Sequence, residues 1–237
     1  MAVQTKRGGA TGVWARWVIA NSLAETVGLG SALGIGVVLF PYLQAPGVLA
    51  ALTTAAAAIL AGTLIEGAVV GTAQWFVLRR PLPDIRWRSW ALATAVGAFI
   101  AWTAGMLPVT LLGADTEAGA GGAAEPSAAA VYGLAAAMGL LAGTILGTPQ
   151  WLVLRRHVPR AALWIPANAL AWAPGMVMAF VAADFLFSGS PGATIVLLAI
   201  ATLAAIGAVV GAIHGLALVW LLRLARPLGP PVSLSAG

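Results

Sequence analysis

The sequence lacks cysteine and carries very little charge. None of its 237 residues is a cysteine, which excludes disulfides and thiolate metal ligands. Charged residues make up 8% of the chain, whereas a typical soluble domain contains about 25%. So few charges cannot cover a surface that faces water on all sides. The composition therefore excludes an ordinary soluble protein.

Histidine is scarce, and the short motifs of common enzymes are missing. The two histidines, His157 and His214, are too few for a His-rich metal centre or for haem. The His-Glu-x-x-His, Gly-x-Ser-x-Gly and phosphate-binding glycine patterns do not occur. The sequence therefore predicts a non-enzymatic protein with no catalytic residues, no metal site and no implied cofactor.

Apolar residues are abundant and occur in runs long enough to cross a membrane. Hydrophobic residues make up 61% of the chain, and the mean hydropathy is +0.97. A helix of about 20 apolar residues spans a bilayer, and segments such as 50–71 lack the alternation of a barrel strand. The sequence predicts an all-α membrane protein with six transmembrane helices, at about 16–40, 51–78, 89–113, 128–154, 163–187 and 193–222.

Positive charges fall at the same end of every predicted helix. The lysines and arginines precede span one, join spans two and three or four and five, or follow span six: Lys6, Arg7, Arg16, Arg79, Arg80, Arg86, Arg88, Arg155, Arg156, Arg160, Arg223 and Arg226. The opposite end carries acidic side chains only: Asp115, Glu117, Glu125 and Asp184. By the positive-inside rule, both termini are predicted to be cytoplasmic.

This topology accounts for the net charge of +5, so no nucleic-acid partner is expected. The arginines could also bind anionic lipids at the cytoplasmic face. Most tryptophans lie near the same face, where aromatic and basic side chains anchor helices at the membrane surface. The predicted interfacial anchors are Trp17, Trp75, Trp151, Trp164, Arg79, Arg80, Arg155 and Arg156.

Several segments of the chain resemble one another. The segments "GTAQWFVLRR" (71–80) and "GTPQWLVLRR" (147–156) agree at eight of ten positions, and "GAVVGAIHG" (207–215) is a weaker copy. Likewise, "AFIAWTAGM" (98–106) aligns with "NALAWAPGM" (168–176), and 17–28 aligns with 164–175. The pattern predicts one domain, 1–226, of three parallel two-helix repeats (1–80, 81–156, 157–226). Three similar hairpins would close into a pseudo-threefold bundle, followed by a flexible tail at 227–237.

The element Gly-x-x-Gln-Trp-x-x-Leu-Arg, at 71–79 and 147–155, resembles one found in a group of bacterial polytopic membrane proteins. The resemblance covers the ends of the first two repeats well and the third poorly. It implies a repeat structure in a bacterial plasma membrane, and it implies no activity.

Glycines and polar residues share helical faces inside the spans. The glycines stand four apart and one turn before a polar residue: Gly67 and Gly71 before Gln74, Gly143 and Gly147 before Gln150, and Gly207 and Gly211 before His214. Small residues at this spacing let helices pack closely. Asn21 and Asn168 lie at a similar depth. The amides either lock the bundle by hydrogen bonds or form a polar ligand site.

Ionisable residues interrupt the repeat. The alignment makes Glu25 equivalent to Trp102 and Trp172, and it makes His214 equivalent to the two glutamines. We expect Glu25 and His214 to face each other where the first and last helices meet, as a proton-responsive couple or as a static clasp. Glu66 is a second intramembrane carboxyl group, without an obvious cationic partner.

Two functions from different classes fit these patterns. An accessory or scaffold subunit, bound to other subunits of a membrane complex, is favoured by the glycine-rich contacts and the few intramembrane charges. The alternative is a small-solute, cation or proton-linked transporter, or a ligand-binding protein, with a polar site near the cytoplasmic face. Glu66 distinguishes them, because a subunit would turn it outward to a partner and a transporter inward to the cavity of Gln74.

Overall fold

The computed structural model of the protein describes residues 5–43, 47–113, 126–186 and 192–225. Within these ranges the secondary structure is helical, without strands. Some of the sequence predictions concern residues outside the described ranges. These are Asp115, Glu117, Glu125, Arg226 and the tail at 227–237.

Seven α-helices make up the described chain. They are α1 (Thr5–Leu43), α2 (Val48–Ala61), α3 (Gly67–Leu78), α4 (Trp87–Gly113), α5 (Ala128–Leu154), α6 (Trp164–Leu186) and α7 (Gly192–Leu224). A π-helical turn, Gly62–Glu66, joins α2 to α3, so that the two form one span. Six segments are long and apolar enough to cross a membrane, which confirms the predicted class of helical membrane protein.

The first helix begins well before the predicted span. Hydropathy places the span's start near residue 16, whereas α1 begins at Thr5. The difference has a simple cause, since a helix satisfies its own backbone hydrogen bonds and can continue beyond the apolar layer. Hydropathy reports only the part of a helix that lies in lipid.

The spans pack in a closed ring. Helix α1 contacts α3 and α7, and contacts continue from α3 to α4, α4 to α5, α5 to α6 and α6 to α7. The first and last spans are therefore neighbours, which brings distant parts of the sequence together at the centre.

The glycines of the shared faces lie where neighbouring helices approach most closely. A Cβ atom added to Gly67 would lie 2.9 Å from the Cα of Ala95, and one added to Gly71 would lie 2.9 Å from the Cα of Ala91. A Cβ on Gly143 would overlap the backbone of Asn168. Any residue larger than glycine would therefore push these helices apart.

A cluster of buried tryptophans lies near the arginine end of the bundle, which we define by Arg16, Arg79, Arg80, Arg155, Arg156 and Arg223. Trp17, Trp90 and Trp164 are each 0% exposed. The Trp164 ring centroid lies 5.9 Å from that of Trp17 and 6.3 Å from that of Trp90, both edge-to-face. Such aromatic pairs stabilise a core beyond their buried area.

The prediction that Trp17 and Trp164 are interfacial anchors is therefore wrong. An anchoring ring lies against lipid headgroups, whereas these rings lie against each other inside the bundle. Trp75 and Trp151 are only partly buried. Their rings are covered by arginines that follow in sequence, Arg79 at 5.4 Å and Arg155 at 5.2 Å.

Candidate functional site

A small polar cavity lies between the spans. Its volume is about 20 Å³, which is room for about one water molecule. Seven of the residues that line it are the ligand-site candidates chosen from sequence: Asn21, Glu25, Glu66, Gln74, Gln150, Asn168 and His214. All seven are buried. The helices thus bring these seven amide, carboxyl and imidazole side chains together at one cavity.

The buried tryptophans each donate a hydrogen bond to a polar side chain on a neighbouring helix. The indole of Trp17 donates to His214 Nδ1 (2.7 Å), that of Trp90 to Gln74 Oε1 (3.2 Å) and that of Trp164 to Gln150 Oε1 (2.9 Å). In each case, the tryptophan is at the start of one span and the acceptor is near the end of another. The same type of contact therefore occurs three times.

The amides also bond to one another across the bundle. Gln74 Nε2 donates to Asn21 Oδ1 (2.9 Å), and Gln150 Nε2 donates to Gln74 Oε1 (3.1 Å). Gln150 Nε2 also reaches the hydroxyl of Thr94 (3.0 Å). The amide oxygens of Asn21, Gln74 and Gln150 all have donors, so these three side chains form a connected network.

Thr94 takes the place that asparagine has in two other helices. Thr94 Oγ1 donates to the carbonyl of Trp90, four residues earlier, just as Asn21 and Asn168 donate to the carbonyls of Trp17 and Trp164. This contact corrects the sequence alignment of 98–106. Counted from the tryptophans, Ala98 corresponds to Glu25 and Trp172, whereas Trp102 lies one helical turn deeper. A shift of four residues escapes notice because it leaves the helical face nearly unchanged.

Trp102 instead holds the carboxyl group of Glu66. Its indole donates to Glu66 Oε2 at 2.8 Å, and its ring lies against Gly62, which has no side chain to obstruct it. Glu66 is 8% exposed and lines the same cavity as Gln74. The side chain therefore turns inward.

Glu25 lies at the same cavity with one oxygen unpartnered. It is 2% exposed, and its Oε2 has no hydrogen-bond partner in the described part of the chain. One turn later, a Cβ on Gly28 would lie 3.0 Å from the Cα of Glu66, so α1 and the π-helical turn almost touch. Neither lysine nor arginine is among the described residues that line the cavity. Two carboxyl groups thus share a buried space without a cationic side chain.

Glu25 and His214 lie at the same cavity, as expected, but they do not form the expected pair. Both line the cavity, but no hydrogen bond between them occurs among the described residues. His214 Nδ1 accepts the indole proton of Trp17, which is the role of a neutral imidazole nitrogen. The histidine therefore belongs to the tryptophan contacts, and its partner is not the carboxyl group of Glu25.

Sequence reasoning missed Thr94, Trp90 and Trp102 as members of the site. A tryptophan followed four residues later by a polar side chain occurs at 17 and 21, 90 and 94, and 164 and 168. That spacing is the signal that would have found the first two. Trp102 has no such signal, because its contact with Glu66 depends on the π-helical turn.

The described residues contain no group of three or more His, Asp or Glu side chains placed to hold a metal ion. No protein-family model matches the chain, and comparison with curated proteins and with solved structures gives no match either. The geometry of the cavity is therefore the guide to function.

Proposed function

We propose that this chain is a proton-linked membrane protein whose working site is the carboxyl pair of Glu25 and Glu66. The observation that carries the proposal is the inward direction of Glu66, which lines one cavity with Glu25 and Gln74. Buried intramembrane carboxyl groups are costly and are typical of proton relays in pumps and transporters. The sequence favoured an accessory subunit, and we now place that role second to a proton-linked protein.

The size of the cavity favours a proton over a larger ligand. Its volume of about 20 Å³ is far below that of most metabolite pockets, which usually measure about 300–1,000 Å³. A metal cation would need several oxygen ligands, but the amide oxygens of Asn21, Gln74 and Gln150 already accept hydrogen bonds. A proton needs only one carboxylate oxygen, and Glu25 Oε2 is unpartnered within the described residues.

The polar residues therefore divide into two groups with different roles. Gln74, Gln150 and Asn21 are satisfied by each other and by indoles, which is the arrangement of a structural lock. Glu25 keeps an oxygen without a partner among the described residues. Glu66, whose Oε2 accepts the indole proton of Trp102, ends a π-helical turn. Such turns are rare and frequently occur at functional sites. We assign proton binding to Glu25 and Glu66 and positioning to the amides.

Counting protons tests this assignment. The pH of the purified protein in detergent would be lowered from about 9 to about 6, a range in which an ordinary solvated aspartate stays ionised, and the protons taken up would be counted. Wild type, Glu25→Gln/Glu66→Gln and a control, Asp184→Asn, would be compared. Asp184 is an exposed carboxylate that accepts a hydrogen bond from Tyr132. We expect wild type and control to take up about one proton more per chain than the double variant. Equal uptake in all three would refute the proposal.

We further propose that three parallel two-helix repeats form this bundle with pseudo-threefold symmetry. Three tryptophan contacts of one type, at Trp17, Trp90 and Trp164, support it. The arginine end would be cytoplasmic, with both termini there, in a bacterial plasma membrane. The support is the positive-inside rule, together with the resemblance described above.

An accessory subunit is the second candidate function. Gly105 and Gly133 favour it, because a Cβ on either would meet no described atom within 4 Å. Small residues in a membrane span usually mark a contact between helices, so these two suit a partner's helix. Native mass spectrometry after gentle extraction from the source membrane tests this role. Release in a fixed ratio with other proteins would support it, and release alone would contradict it.

A further inference from the structure

A second cavity lies on the outside of the bundle, between α1 and α3. Its volume is about 400 Å³, far larger than the central cavity. Ile19, Leu23 and Phe76 form its walls and are 57%, 62% and 51% exposed. In a membrane-spanning bundle, such an exposed apolar surface faces the hydrocarbon of the bilayer. We refer to this space as the arginine groove.

Three arginines stand at one end of the arginine groove. Arg16 comes from α1, and Arg79 and Arg80 follow α3 directly. The guanidinium of Arg79 lies over the ring of Phe76 at 4.8 Å, so a wall residue holds it at the mouth. No acidic residue is among the described residues that line the groove. Three positive charges therefore lie together at one end of an otherwise apolar groove.

We infer that the arginine groove binds an anionic phospholipid. Guanidinium groups recognise phosphate by paired hydrogen bonds and hold it more specifically than a lysine would. From Arg16 to Leu23, α1 rises about 10 Å, so an acyl chain can follow the apolar wall while its phosphate stays at the arginines. The inference does not depend on the carboxyl pair or on its protonation.

The other arginine pair of the chain has a serine at the position that corresponds to Arg16. Arg155 and Arg156 follow α5, which packs against α4, and the residue before the buried Trp90 of α4 is Ser89. Arg16 holds the corresponding position, directly before Trp17. A variant at Arg155 and Arg156 is therefore a matched control, because it removes as much charge from the same end of the bundle.

Lipid binding would be measured by native mass spectrometry. Purified protein in a non-ionic detergent would be titrated with phosphatidylglycerol or with phosphatidylcholine, using wild type, Arg16→Gln/Arg80→Gln and the control Arg155→Gln/Arg156→Gln. Each basic side chain near the surface adds measurably to anionic-lipid binding. We expect the groove variant to bind phosphatidylglycerol about tenfold more weakly, whereas the control stays close to wild type.

Three results would overturn the inference. Equal weakening in both variants would mean a general charge effect, and equal binding of phosphatidylcholine would mean an apolar groove without headgroup recognition. Competition by soluble glycerol phosphate as strong as that by the lipid would mean an anion site without a role for the acyl chain. If the double variant does not melt cooperatively, Arg16→Gln alone is measured, and unchanged affinity there contradicts the inference.

Discussion

At the scale of single residues, the chain separates two kinds of buried polarity. The amides of the central layer have partners, including the indole of Trp164 on Gln150, whereas Glu25 has an oxygen without a partner among the described residues. Seven residues that line the cavity were candidates from sequence, because polar side chains in apolar spans usually face the interior of the bundle, but Thr94 was missed. The sequence could not assign the roles, since these depend on which atoms meet across helices.

Each indole hydrogen bond should contribute separately to the stability of the fold. Trp164→Phe keeps an aromatic ring but removes the pyrrole part of the buried indole, with its donor to Gln150. The free energy of unfolding should fall by more than about 1 kcal/mol, since a packing gap adds to the lost interhelical bond. Trp220→Phe is the control, because Trp220 is 39% exposed. Thermal melts in detergent would show the difference. Equal melting temperatures for the two variants would mean that the hydrogen bond contributes nothing.

Neutralising a carboxyl group at the cavity should not lower stability, unlike the loss of an indole donor. Glu66→Gln keeps an oxygen that can accept the indole proton of Trp102 and removes a buried ionisable group. Working sites are commonly less stable than their neutral replacements, so the variant should melt at the same temperature as wild type or higher. A marked loss of stability would mean that the carboxyl group of Glu66 is a structural element.

At the scale of helices, the sequence predicted the six spans but not the π-helical turn. Hydropathy over a window of residues is a property of regular helices, so it identifies the six spans correctly. The turn at Gly62–Glu66 widens the helix by one residue locally. Such a change leaves no mark on composition, and Gly62 of the turn lies against Trp102, a residue of another helix.

Helix contacts should be sensitive to a single methyl group. In Gly143→Ala the new Cβ would overlap the carbonyl of Asn168, so α5 and α6 must move apart. Overpacking of this kind typically costs about 1–3 kcal/mol. Gly133→Ala is the control on the same helix, because no described atom lies within 4 Å of its Cβ. Thermal melts should show a loss for the first variant and none for the second. Similar melting temperatures would contradict the close contact.

At the scale of the whole molecule, ring closure brings the first and last spans together. The repeat predicted a ring, and α1 does contact α7. Ser22 Oγ donates to the carbonyl of Ala204 at 2.8 Å, across this contact. The position of Glu66 within the ring was beyond sequence reasoning, because an inward or outward direction depends on the rotation of one helix about its axis.

The absence of cysteine makes this closure easy to test. Ser22→Cys/Ala204→Cys should be joined within one chain by a short, reducible bis-methanethiosulfonate reagent, because Ser22 Oγ lies 2.8 Å from the carbonyl oxygen of Ala204. Ser22→Cys/Thr144→Cys is the control, because Thr144 is exposed on α5. Gel mobility before and after reduction would distinguish the products. Cross-linking between chains in both variants, or none in the first, would mean that α1 and α7 are not neighbours.

The most direct measurement of the central claim is infrared spectroscopy of the protein in lipid bilayers, following the C=O stretch of protonated carboxyl groups as pH changes. Our account predicts a band that appears reversibly on acidification in wild type, weakens in Glu25→Gln or Glu66→Gln, and persists in Asp184→Asn. A band that is constant at every pH, or one that survives in Glu25→Gln/Glu66→Gln, would contradict it. The carboxyl pair would then be a silent part of the structure.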